Sequence, residues 1–61
     1  MKYIMTMKHY ETGKMIYLKN RDDFTLDVNE ALTFSTQKEA ASYLRIAANF
    51  GLPRIEILKE N

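Results

Sequence analysis

The chain has no cysteine, no tryptophan, one histidine, one proline and two glycines among its 61 residues. Without cysteine there is no disulfide framework and no cysteine-based zinc site. A charge of one sign is missing too. Nine Lys and Arg stand against eight Asp and Glu, a formal net charge of +1, which speaks against a strong electrostatic grip on nucleic acid. No apolar run approaches the roughly 20 residues of a membrane span. The opening stretch from Met1 to Lys8 is interrupted by Thr6 and Lys8 and lacks a signal-type apolar segment. The expected location is therefore the cytoplasm.

What is present is a globular composition, 46% hydrophobic. The length allows a single domain, 1–61. Chains this short are near the lower limit for a self-sufficient core and usually need disulfides, a metal or association. With disulfides excluded, association is favoured, as a homodimer or on a partner. The alternative is a marginal monomer carried by good local signals.

Alternation in residues 3–10 and a second run over 15–19, around Thr12-Gly13, predict a β-hairpin. A two-residue loop sets Glu11 opposite Lys14, Tyr10 opposite Met15 and Met7 opposite Leu18; a bulge at Gly13 shifts this by one residue. One face then holds Met5, Met7, His9, Ile16 and Leu18, and the other holds Ile4, Lys8, Tyr10, Met15, Tyr17 and Lys19. Residues 24–34 form a short excursion, either a third strand at Phe24-Leu26-Val28 or a helical turn capped by Asp27. Thr36-Gln37-Lys38-Glu39 is a capping box. Ala40, Tyr43, Leu44, Ala47 and Phe50 share one helical face. This predicts one α-helix over 36–50, ended by Gly51 as a left-handed residue, Leu52 packing back and Pro53 preventing continuation. A C-terminal strand follows over 54–59 with Ile55 and Ile57 inward. The expected fold is α+β, a two-layer sheet plus helix; if the excursion is not a strand, the closing strand runs antiparallel beside the first and the two outer strands are left as edges.

Residues with special chemistry are few. His9 alone supplies no triad or metal cluster. Asp22, Asp23, Asp27 and Glu30 do not form an EF-hand loop: counted from Asp23, the sixth position lacks glycine and Phe34 occupies the twelfth. Neither glycine belongs to a phosphate-binding motif. No catalytic residue, cofactor or metal is expected, and the chain is read as a non-enzyme. A base-stacking platform of Tyr10 and Tyr17 among Lys8, Lys14 and Lys19 is the alternative function, small nucleic-acid binding through the hairpin. The more informative feature is Ile4, Tyr10, Met15 and Tyr17 on the face away from the helix, a composition typical of protein interfaces. The alternative is that the excursion folds over that face. Ala41 and Ala48 form a second small-residue strip that could admit another helix. These six residues are the candidate protein interface.

From Phe24-Thr25-x-Asp27 through Ala31-x-x-Phe34-Ser35-Thr36-x-x-Glu39-Ala40, preceded by Ile16-Tyr17-Leu18-Lys19, the sequence resembles small accessory proteins of tailed bacteriophages. That resemblance implies a non-enzymatic protein that binds and inhibits a host protein, in the host cytoplasm. Anti-defence inhibitors are one such group, with a small homodimeric inhibitor of the Hachiman helicase–nuclease system as one candidate. Anti-CRISPR proteins and inhibitors of host polymerase or replication are others. No functional motif carries over to particular residues, so the target stays open.

Overall fold

The computed structural model describes residues 1–59. Its sheet is antiparallel and has five strands: β1 (Lys2–His9), β2 (Met15–Asn20), β3 (Asp23–Thr25), β4 (Thr33–Phe34) and β5 (Gly51–Leu58). Two short helices, α1 (Gln37–Ala41) and α2 (Leu44–Ala47), precede β5. The fold is α+β, as expected, but the helical part and the strand topology differ from the sequence reading. No helix among the described residues is long and apolar enough to cross a membrane.

β1 is the central strand. β5 runs antiparallel along one of its edges from Lys2↔Leu58 to His9↔Gly51. The other edge is shared: β2 pairs at Thr6↔Tyr17, Met7↔Ile16 and Lys8↔Met15, and β4 pairs at Tyr3↔Phe34 and Ile4↔Thr33. The small β4 had no counterpart in the sequence reading. It reaches β1 because the incoming chain is tied to the end of β2 by Leu32 N–H donating to the Leu18 carbonyl at 2.8 Å.

The hairpin exists, but with a longer loop. Met7 faces Ile16 rather than Leu18, a shift of two residues from the two-residue-loop register and not the one that a bulge would produce. Gly13, at φ 71, donates its N–H to the His9 carbonyl at 2.9 Å, and His9 N–H donates to the Lys14 carbonyl at 2.9 Å. His9 explains the longer loop. Its Nδ1 accepts from the backbone N–H groups of Glu11 and Thr12 at 3.1 and 3.4 Å, satisfying donors that a loop would otherwise leave to water. Because side chains alternate with a period of two, a two-residue shift leaves the paired residues of β1 and β2 on the same sides of the hairpin as expected. Met5, Met7, Ile16 and Leu18 accordingly form the core with Phe34, Ala40 and Ala47.

The excursion is both of the things foreseen. Phe24 lies in β3, opposite Leu18. A 3₁₀ turn follows at Val28–Glu30, with the Asp27 carboxylate accepting from Asn29 N–H at 2.9 Å. Leu26 and Val28 are exposed, so the strand ends before them.

The single helix over 36–50 is corrected to two pieces. Thr36 does cap α1, accepting Glu39 N–H at 3.1 Å. The break comes at Ser42, whose hydroxyl donates to the Glu39 carbonyl at 2.6 Å while Tyr43 N–H bonds back to Ala40 at 2.9 Å. A side chain that bonds to a nearby carbonyl in this way competes with the helix ladder. Tyr43 leaves helical geometry at φ −102, ψ 3, and its ring packs on Phe34 with centroids 5.1 Å apart. Ala40 and Ala47 are the buried residues of the two helices, and their small side chains let the backbone lie close to the sheet.

Gly51 is also corrected. It is not left-handed; among the described residues Gly13 alone has positive φ. Its role is close approach. A Cβ there would overlap the Lys8 carbonyl oxygen and sit 2.6 Å from the Lys8 carbonyl carbon. β5 therefore starts at Gly51 rather than 54, directly after the tightened turn in which Phe50 N–H bonds to Ala47 at 3.0 Å.

Candidate interaction surface

Several of the polar side chains take part in local structure. His9 lends its Nδ1 to the loop, and its ring meets Phe24 edge-on at 5.5 Å. Asp23 accepts from Phe24 N–H at 2.8 Å, and Glu30 accepts from the Thr25 hydroxyl at 3.0 Å. With Asp27 in its cap, the carboxylates of Asp23, Asp27 and Glu30 act as local acceptors in turns and caps. Among the described residues no group of three or more His, Cys, Asp or Glu side chains converges on a metal-sized site, and no enclosed pocket is present.

The six interface candidates separate. Ile4 is corrected: it is only 4% exposed and belongs to the interior. Its place on the central strand, between Thr33 and Glu56, surrounds it on both sides. Thr6, two residues on and between Tyr17 and Arg54, is buried for the same reason, and its hydroxyl reaches the Arg54 carbonyl at 3.4 Å. Tyr10 is corrected in direction. Its hydroxyl donates to the Ala48 carbonyl at 2.7 Å, so it spans toward α2 instead of projecting away from the helices. That bond also joins two candidates, Tyr10 and Ala48, at the helix end of the molecule. Met15 is exposed, opposite Lys8, and Tyr17 is half-buried beside Thr6. Ala41 is exposed at the end of α1. Tyr10 is thus tied to the helix end, while Tyr17 lies in the sheet beside Thr6.

On β5, two exposed residues were missed. Leu52, expected to pack back on the helix end, is 61% exposed, and Ile57, expected inward, is 51% exposed. Ile57 lies opposite Tyr3 near the end of the ladder, while Ile55 lies opposite Met5 and is packed against the core. The period of two places both isoleucines on one face, and only the position along the strand distinguishes them.

Both residues belong to β5, whose outer edge pairs with no strand among the described residues. The direction of its backbone groups follows from the ladder. Tyr10 N–H donates to the Phe50 carbonyl at 3.3 Å, just beyond the Gly51 end of the same register. Hydrogen-bonded and non-bonded pairs alternate in an antiparallel ladder, so Leu52, Arg54, Glu56 and Leu58 bond toward β1. Gly51, Pro53, Ile55 and Ile57 direct their backbone groups outward. Pro53 fits there because the N–H it lacks would have pointed to the open side. Sequence signals for this were Pro53 itself, which marks an edge, and the exposed-type alternation of Arg54 and Glu56.

Compared with protein-family models, with curated proteins and with solved structures, the chain matches none.

Proposed function

We propose that this chain is a non-catalytic binding protein of the phage accessory type, which acts in the host cytoplasm, covers a working surface of a host protein and functions as a homodimer. The observation that carries this reading is the set of apolar side chains left outside a core that is already complete. Met5, Met7, Ile16 and Leu18 are fully enclosed, yet Tyr10, Met15, Leu26, Leu52 and Ile57 stand well exposed on a chain of this size. Exposed apolar surface of this kind is what protein contacts use. The resemblance of residues 16–40 to phage accessory proteins supplies the kind of partner, a host protein.

The test is affinity capture from bacterial lysate with the tagged chain, followed by an activity assay on the captured protein. One host protein should be enriched and should lose activity in proportion to the amount of chain added. Multiple-turnover chemistry by the chain itself, or no specific enrichment, overturns the reading.

A further inference from the structure

We propose that the open edge of β5 pairs with the same edge of a second copy, antiparallel and centred on Ile55, so that the two sheets become one. The idea deepens the homodimer reading above and rests on it for its biological meaning.

The strand carries its own complement. Pairing Ile55 with Ile55 about a two-fold axis sets Arg54 of each copy opposite Glu56 of the other. The same register sets Leu52 opposite Leu58 and Pro53 opposite Ile57. Opposite charges and apolar pairs are the favourable cross-strand neighbours. Other centres do worse. An axis at Arg54 or at Glu56 places like charges face to face, and an axis at Pro53 or Ile57 sets a leucine against a charged residue. An isologous contact must be self-complementary, and only the Ile55 centre meets that condition for both charges.

The backbone agrees with the side chains. Ile55 and Ile57 direct their N–H and C=O groups outward, so the Ile55 groups of the two copies exchange hydrogen bonds at the axis. Each Ile57 N–H meets the Pro53 carbonyl of the other copy. Pro53 removes one donor on each side, which limits the ladder without blocking it. The contact would cover Leu52 and Ile57, the two β5 residues whose exposure the isolated chain leaves unexplained. It would also continue the Met5–Ile55 face of the sheet across the axis.

The experiment is sedimentation of the full chain from micromolar to millimolar concentration, with the two charge reversals Arg54→Glu and Glu56→Arg. Both side chains are exposed, so the fold tolerates the changes. The wild type should be a dimer. Each single variant should dissociate on the order of tenfold more readily, since two symmetric pairs turn repulsive at once. An equimolar mixture of the two variants should recover the wild-type association as a heterodimer. A synthetic chain N-methylated at Ile55 should be monomeric, because the methyl group occupies the outward side and leaves the β1 ladder intact. A wild type that is monomeric throughout overturns the proposal, as does a dimer indifferent to these changes. A monomeric chain that still captures and inhibits a host protein removes the edge dimer and keeps the binding role. A dimer that obeys the charge reversals but captures nothing supports the edge contact and removes that role.

Discussion

β2 and β5 flank the same central strand and both carry isoleucine and leucine, yet they have opposite surroundings. The outer side of β2 is covered by β3, and Ile16 and Leu18 lie completely enclosed. β5 has no strand beyond it among the described residues, and its Leu52 and Ile57 remain in contact with water. Burial in so small a sheet depends less on how apolar a strand is than on whether a further element lies beside it. The covered side supplies the core, and the open side is available for association.

The largest expected effect breaks the attachment of the open side. Gly51→Ala places a methyl group into the Lys8 backbone. It should lower stability by more than about 4 kcal/mol, at the upper end for single substitutions, seen as loss of a cooperative urea transition. On the covered side, Leu18→Ala should cost about 3 kcal/mol through lost burial and a residual cavity. For a domain of this size that is most of the available stability, so circular dichroism at room temperature should already show a large unfolded fraction. Thr36→Ala touches neither flank of β1. It should cost about 1 kcal/mol through the lost cap, read as a shift in the urea midpoint with unchanged slope. Ile57→Ala should change the stability of the dilute monomer by no more than about 0.5 kcal/mol. At high concentration the same variant should lose the concentration dependence of its melting temperature, because its role is association. An Ile57 effect as large as that of Leu18 in dilute solution would erase the distinction between the two sides.

Much of this architecture was legible along the chain. The alternation of Met5 and Met7 with Ile16 and Leu18 identified the core face, and that face survived a loop of a different length because the shift was even. Thr36 and Glu39 marked the start of α1, and Asp27 marked the 3₁₀ turn. The candidate surface was less legible. Ile4 reads as an outward residue until its strand is seen to be the central one. Tyr10 reads as part of a sheet face until its hydroxyl is seen to reach Ala48. The helix broke where Ser42 and Tyr43 found partners in Glu39 and Phe34, a competition that helical periodicity does not register.

By itself, the sequence determined which side chains of β1 and β2 share a face, where the first helix begins and that no thiol is present. These depend on short-range geometry: the period of a strand, the reach of a hydroxyl to the third N–H beyond it, the presence or absence of a thiol. Tertiary structure alone decided that β1 is central, that β4 adds to it, that Gly51 serves close packing rather than a left-handed turn, and that β5 keeps one edge open. Those outcomes depend on which backbone lies beside which, and neighbours in space are chosen by the packing of the whole chain.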